Sequence, residues 1–229
     1  FFDKANTVVK NGRLTISRAS TGFLAKLLEN NVPEISNGRI EIKAIARDAG
    51  NRSKVAVSSG DARIDAKGAV IGFRNQRIDS VTKELFGERV DVVDYDSDLA
   101  QFALNALAPA EIDSVVVDEE KRTIDVIVED DKLGSAIGPD GINVRLASKL
   151  TNCTINIFGK TEAKDKKQHE RADLIAMFND ALDVDDDISE LLIDNGFSSL
   201  EEVAYVDVED ILVIEDFDED VAKELQERA

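Results

Sequence analysis

The first 160 residues carry one pattern of apolar and polar positions twice. The alternating run Ile40-Glu-Ile-Lys-Ala-Ile45 leads into polar Asp48-Ala-Gly-Asn-Arg52-Ser53 and out through Lys54-Val-Ala-Val57. The same arrangement returns as Ser114-Val-Val-Val117, Asp118-Glu-Glu-Lys-Arg122-Thr123 and Ile124-Asp-Val-Ile-Val128. β-Branched residues on both sides of a polar turn predict a β-hairpin in each copy. Downstream, each copy has a small-residue run ending in Ile71-Gly72 or Ile137-Gly138, a short loop, and then a helical period. Apolar residues recurring about one helical turn apart, Ile78, Val81 and Leu85 in copy one and Val144, Leu146, Ala147 and Leu150 in copy two, predict one buried helix face in each. A further alternating strand follows, Arg89 to Val93 and Thr154 to Ile157. Helices at Phe23 to Leu28 and Leu99 to Leu107 precede the copies, and Pro33 and Pro109 are expected where helices give way to strands. The predicted order is α-β-β-α-α-β, twice.

The rest of the chain has only the helical period. Short helices are expected over Ala172–Leu182, Ile188–Ile193, Leu200–Tyr205, Val208–Val213 and Val221–Leu225. Ser198-Ser-Leu-Glu201 reads as a capping box, with Asp187, Asp207 and Asp218 at N-cap-like places and Gly196 as a helix stop. Basic, polar residues 159–168 read as a hinge running into the first of these helices. Near the start, Asn11-Gly12 between alternating apolar residues predicts a hairpin over 1–17. The expected divisions are 1–17, 18–96, 97–160 and 161–229. The fold class is α+β, with a small all-α unit of helix-hairpin-helix type at the end.

Charge divides the chain at a similar place. The net charge of -19 suggests at first a protein that avoids nucleic acid. Residues 179–229, however, hold 19 acids and two bases, while residues 1–108 hold 16 bases and 14 acids. A near-neutral body therefore carries an acidic appendix, and single-sign blocks mark a solvated or partner-binding region. No run is long and apolar enough to span a bilayer, so no membrane role is expected. The opening Phe1-Phe2-Asp3-Lys4 lacks the pattern of a secretory signal and, without an initiator Met, is expected to belong to a longer chain. One Cys and one His exclude disulfide frameworks and multi-His or Cys-His zinc sites, and fit a reducing cytoplasm. Asp183-Val-Asp185-Asp-Asp187 has Ile188 where a calcium loop needs Gly and Asp194 where it needs Glu, so no metal and no other cofactor is expected. His169 has no nucleophile beside it in sequence, and Cys153 reads as a small core residue. The chain is expected not to be an enzyme.

The repeated loops are the candidate chemistry. Gly138-Pro139-Asp140-Gly141 joins two short helices in copy two, and Gly72-Phe73-Arg74-Asn75 does so in copy one. Glycines there let a nucleic-acid backbone approach, while the second helix offers free N–H groups to phosphate. A tight turn needing positive φ would use the same residues, but two occurrences at one place in a repeated unit favour the binding reading.

The arrangement resembles tandem KH domains of the bacterial, type II topology. More narrowly, it is similar to the NusA transcription elongation factor family. The similarity runs through Leu14 to Arg18, Phe23 to Leu27 and Val32 to Ile35, then Glu41 to Asp48 and Gly50 to Val57. It continues through Ala103 to Ala110, Asn143 to Leu150 and Phe197 to Val206. The resemblance implies single-stranded nascent RNA as ligand, RNA polymerase as partner, and a role in pausing, termination and antitermination. It places an S1 barrel before the first KH domain, leaving two readings for residues 1–17: the last piece of that barrel, or a short arm packed on the first KH unit. It also implies that residues 161–229 contact the polymerase or another elongation factor, and the charge split suggests that they cover the KH surface until displaced. A cytoplasmic monomer is expected. The residues assigned to RNA are Gly72, Phe73, Arg74, Asn75, Arg77, Gly138, Pro139, Asp140, Gly141, Asn143, Arg145 and Lys149. Asn75 stands where the family has a second Gly, and Asp140 sets a carboxylate where phosphate would sit, predicting weakened binding. The alternative reading is a divergent KH-based protein-interaction scaffold with weak or lost RNA binding.

Overall fold

The computed structural model describes residues 17–211, 214, 217 and 219–229. The expected hairpin near the start, apart from Ser17, and the N-cap place of Asp218 lie outside the described residues.

The first repeat begins with α1 (Thr21–Asn31), whose first turn is capped by the Ser20 hydroxyl accepting from the Phe23 amide. Pro33 does not lead straight into a strand. It opens a one-turn helix, α2 (Pro33–Ser36), where its fixed φ and missing N–H cost nothing. Strands β1 (Ile40–Asp48) and β2 (Arg52–Ser59) form the expected hairpin. Helices α3 (Ala66–Ile71) and α4 (Gln76–Glu84) then carry the chain across to β3 (Arg89–Asp94). β3 lies parallel to β2, the pairing a helical crossover permits. The second repeat follows the same route through α5 (Leu99–Leu107), β4 (Ser114–Asp118), β5 (Thr123–Val128), α6 (Leu133–Ile137), α7 (Ile142–Thr151) and β6 (Thr154–Gly159). Its sheet repeats the order, β4 antiparallel to β5 and β5 parallel to β6. Two mixed sheets of order 1-2-3 result, each with its last strand at an edge.

The first sheet is covered on both faces. Val55, Val57 and Val92 pack with Leu24, Leu28, Val70 and Val81 from the helices of their own repeat. Ala46, Ala56 and Val93 on the opposite face join Phe102, Ala106, Leu107, Leu146 and Leu150 in the core of the second repeat. Small alanines on that face let α5 and α7 come close. Hence Ser53 to Val57 are buried without interruption, where a strand with one wet face would alternate. The core of the second repeat thus extends onto one face of the first repeat's sheet.

A second compact unit spans residues 161–229. It is helical: α8 (Lys160–Leu182), α9 (Asp186–Asp194), α10 (Leu200–Tyr205), α11 (Val208–Ile211) and α12 (Glu219–Arg228). Phe178, Leu182, Leu192, Val203 and Leu225 form its core. Residues 160–168, expected as a hinge, are instead the first turns of α8. Pairs one helical turn apart, such as Lys166 with Glu170, suit a helix even where no apolar face exists. Two caps are shifted. Asp185, not Asp187, caps α9 by accepting from the Ile188 amide. The capping box runs from Ser199, whose hydroxyl accepts from the Glu202 amide, while the Glu202 carboxylate accepts from the Ser198 amide. Gly196, at φ 95°, ends α9 as expected. No described helix is long and apolar enough to cross a membrane.

Candidate nucleic-acid interface

Each Gly-x-x-Gly-like loop sits between the two crossover helices of its repeat, and the two have nearly one backbone conformation. Gly72 and Gly138 have φ/ψ of 78°/168° and 76°/166°. Arg74 and Asp140 both lie in the left-handed region, at 49°/39° and 51°/26°. Asn75, at 63°/10°, matches Gly141, at 68°/18°. Asparagine is among the few residues that adopt this region readily, so the turn survives without its second glycine.

The first glycine of each loop does a different job. A Cβ on Gly72 would lie 2.8 Å from Arg77 Cγ, and one on Gly138 would lie 2.9 Å from Asn143 Cβ. Arg77 and Asn143 thus occupy one position in the two repeats, wedged under the loop. Arg77 donates to the Glu34 carboxylate at 2.8 Å and to the Ala69 carbonyl at 2.6 Å. Partial burial pushes the Glu34 carboxyl up, but its own backbone amide and Arg77 together hold it below the usual carboxylate range. Asn143 is 1% exposed and donates to the carbonyls of Leu107, at 3.0 Å, and Ala136, at 2.9 Å. Asn143, assigned to RNA from the sequence, is thus turned inward, where its buried side chain shapes the loop. Arg77 is likewise committed to fastening α4 to α2 and α3.

The remaining assigned residues divide by position. Phe73 is 75% exposed, with the Arg74 guanidinium stacked on its ring at 5.1 Å. Pro139 and Asp140 are exposed on the second loop, and Lys149 is exposed on α7. Arg145, also on α7, spans the repeats to reach Asp48 at 3.0 Å. Both loops and both cations thus belong to one body.

Sequence reasoning missed the wall opposite the first loop. A groove of about 360 Å³ runs between Ile71, Asn75 and Ile78 on the helical side and edge strand β3, with Ala108 and Pro109 at its end. Arg52 and Asp91 line it too. Arg52 Nε donates to Asp91 Oδ2 at 2.6 Å, and Lys54 Nζ lies 3.6 Å from the same oxygen. Lys54 is fully buried and donates to the Ala108 carbonyl at 3.0 Å. Burial pushes its ammonium down to about 8, against the pull of Asp91. The available signal was charge at alternate positions, Arg52 and Lys54, within a strand whose remaining residues are apolar or small.

Known proteins decide the relationship. Residues 18–95 match the NusA-like first KH domain and residues 99–165 match the NusA-like second KH domain. The chain belongs to the NusA family. It is 40% identical over 223 residues to the transcription termination/antitermination protein NusA of Rickettsia conorii, and 39% identical to that of Rickettsia prowazekii. Each match covers 96% of the chain and 44% of the relative, so the chain spans under half the length of these NusA proteins. The crystal structure of APE1850 aligns with 59% of the chain and 95% of its own, at a TM-score of 0.45 and 26% identity.

Proposed function

We propose that this chain is the RNA-holding portion of a transcription elongation factor acting in pausing, termination and antitermination. The observation that carries this reading is the pair of loops with one backbone conformation, set in two KH domains joined through the core of the second. Each loop leads into the amino end of a helix, whose positive dipole end favours phosphate. Beside the first loop, an edge strand leaves its outer backbone groups open to bases laid in the groove.

Binding should be electrostatically lean. Arg74 and Lys149 supply positive charge at the loops, while Asp140 opposes it. The acidic unit has a different surface. Tyr205, 87% exposed, stands beside Phe197 and Val206 in a hollow rimmed by Glu201 and Glu202. An apolar centre with an acidic rim suits a basic protein surface, on RNA polymerase or another elongation factor, and repels RNA.

Titration of single-stranded RNA at two salt concentrations tests the main reading. Replacing Phe73 and Arg74 together by Asp should weaken binding at least about tenfold. An unsubstituted chain that binds no RNA would leave the protein-interaction scaffold.

A further inference from the structure

We propose that Arg52 reads a base in the first KH groove, and that guanine is the base it favours. The proposal rests on the RNA-binding reading above. Arg52 is not an ordinary surface cation. Its side chain is 13% exposed and lines the groove, and its only polar partner among the described residues is Asp91. That contact uses Nε alone, so the two terminal nitrogens of the guanidinium have no partner among the described residues. Asp91 is itself held from the other side by Lys54, whose Nζ is anchored on the Ala108 carbonyl. The fork is therefore oriented before any ligand arrives, which lowers the ordering cost of binding.

A planar fork with two free donors matches a group offering two adjacent acceptors. Among base edges, guanine O6 and N7 form such a pair, whereas adenine pairs N7 with an amino donor. A phosphate also offers two acceptors, so position must decide. Arg52 lies on the sheet side of the groove, beside edge strand β3. The loop and the amino end of α4, which suit phosphate, form the facing wall. A strand with its backbone on the loop presents its bases to the sheet, and base contacts specify where phosphate contacts only position.

The second repeat lacks this device. Lys54 pairs in register with Asp91 and Arg52 with Arg89; their counterparts are Asp125 with Asn156 and Thr123 with Thr154. There Asn156 Nδ2 donates to Asp125 Oδ1 at 2.7 Å, and no guanidinium stands at either pair. Guanine preference should therefore fall at the nucleotide in the first groove.

The test uses the full chain, a short single-stranded RNA selected on it from a random pool, and all single-base permutations of that RNA. At one position guanine should be favoured about tenfold or more. Arg52→Lys keeps the charge and removes the fork. It should bring that preference within about twofold while leaving the other positions and the salt dependence unchanged. Should Arg52→Lys fail to fold by thermal melting, Asp91→Asn, which frees the fork to rotate, should blunt the same preference. Equal weakening for all four bases with a shallower salt slope would make Arg52 a phosphate contact and overturn the proposal. RNA binding with no guanine preference, or one unchanged in the variants, would overturn it and leave the RNA-binding reading standing. A chain that selects no RNA overturns both.

Discussion

The ammonium of Lys54, on the central strand of the first KH domain, donates a 3.0 Å hydrogen bond to the carbonyl of Ala108, at the close of the second domain's first helix. It is the largest fully buried side chain among the described residues, and it pins the end wall of the first groove. The Asn143 amide holds the preceding carbonyl, that of Leu107, from the other domain. One short segment is thus fastened from both sides.

This hydrogen bond has a pH signature. Burial lowers the Lys54 pKa from 10.5 to about 8 in the folded chain. Between those values the unfolded chain binds more protons, so stability rises as pH climbs from about 8 towards 10.5, by on the order of 3 kcal/mol at full effect. Urea midpoints across that window should increase, and Lys54→Met should flatten the rise. A midpoint that falls from pH 8 upward would count against a buried, charged Lys54.

The two glycines of the second loop should respond differently to the same change. Gly141 has open space at its Cβ position, and Asn75 already holds the matching conformation in the first repeat. Gly141→Asn should cost less than about 1 kcal/mol. At Gly138 a Cβ would meet Asn143 Cβ at 2.9 Å and its backbone nitrogen at 3.1 Å, so Gly138→Asn should cost more than about 2 kcal/mol. Equal losses in thermal unfolding would refute the division of labour.

Charge at the second loop should control affinity. Asp140→Lys exchanges an exposed anion for a cation beside the amino end of α7. RNA binding should tighten, and the salt dependence should steepen by about 0.7 in log–log slope for each further phosphate that the variant neutralises. Affinity and slope unchanged from the parent chain would remove Asp140 from the interface.

Within the first domain, Arg47 donates twice to the Glu88 carboxylate, both at 2.8 Å, with both side chains almost fully buried. Burial pushes the Glu88 carboxyl up, but Arg47, the Gly50 amide and the Ser53 hydroxyl outweigh it and hold the group below its ordinary 4.5. Its contribution is therefore complete above pH 4.5 and is lost as pH falls through the lower, folded value. Arg47→Met strands a buried carboxylate and should cost roughly 3–5 kcal/mol at neutral pH. Chemical denaturation of the variant at neutral and acid pH checks both parts, since the deficit should shrink once Glu88 is protonated.

Local chemistry was enough to reveal the repeat, both hairpins, the crossover helices and the two loops. Alternation, helical period and the Ile71-Gly72 and Ile137-Gly138 boundaries are short-range signals that each segment carries alone. Charge likewise separated the acidic unit from the body. Tertiary structure decided what those signals leave open. Asn143 and Arg77 sit near a loop in sequence, yet packing turns both inward as fasteners, because the first glycine of each loop leaves a hollow for the side chain five residues on. The stacking of one domain's sheet on the other's helices made Ser53 to Val57 wholly buried and set Arg52, Asp91 and Lys54 against Ala108. Those contacts join strands and a helix end far apart in the chain. A periodicity records which side of a strand is apolar, but only the neighbour packed against that side determines whether a charged residue there is a surface group or part of a site.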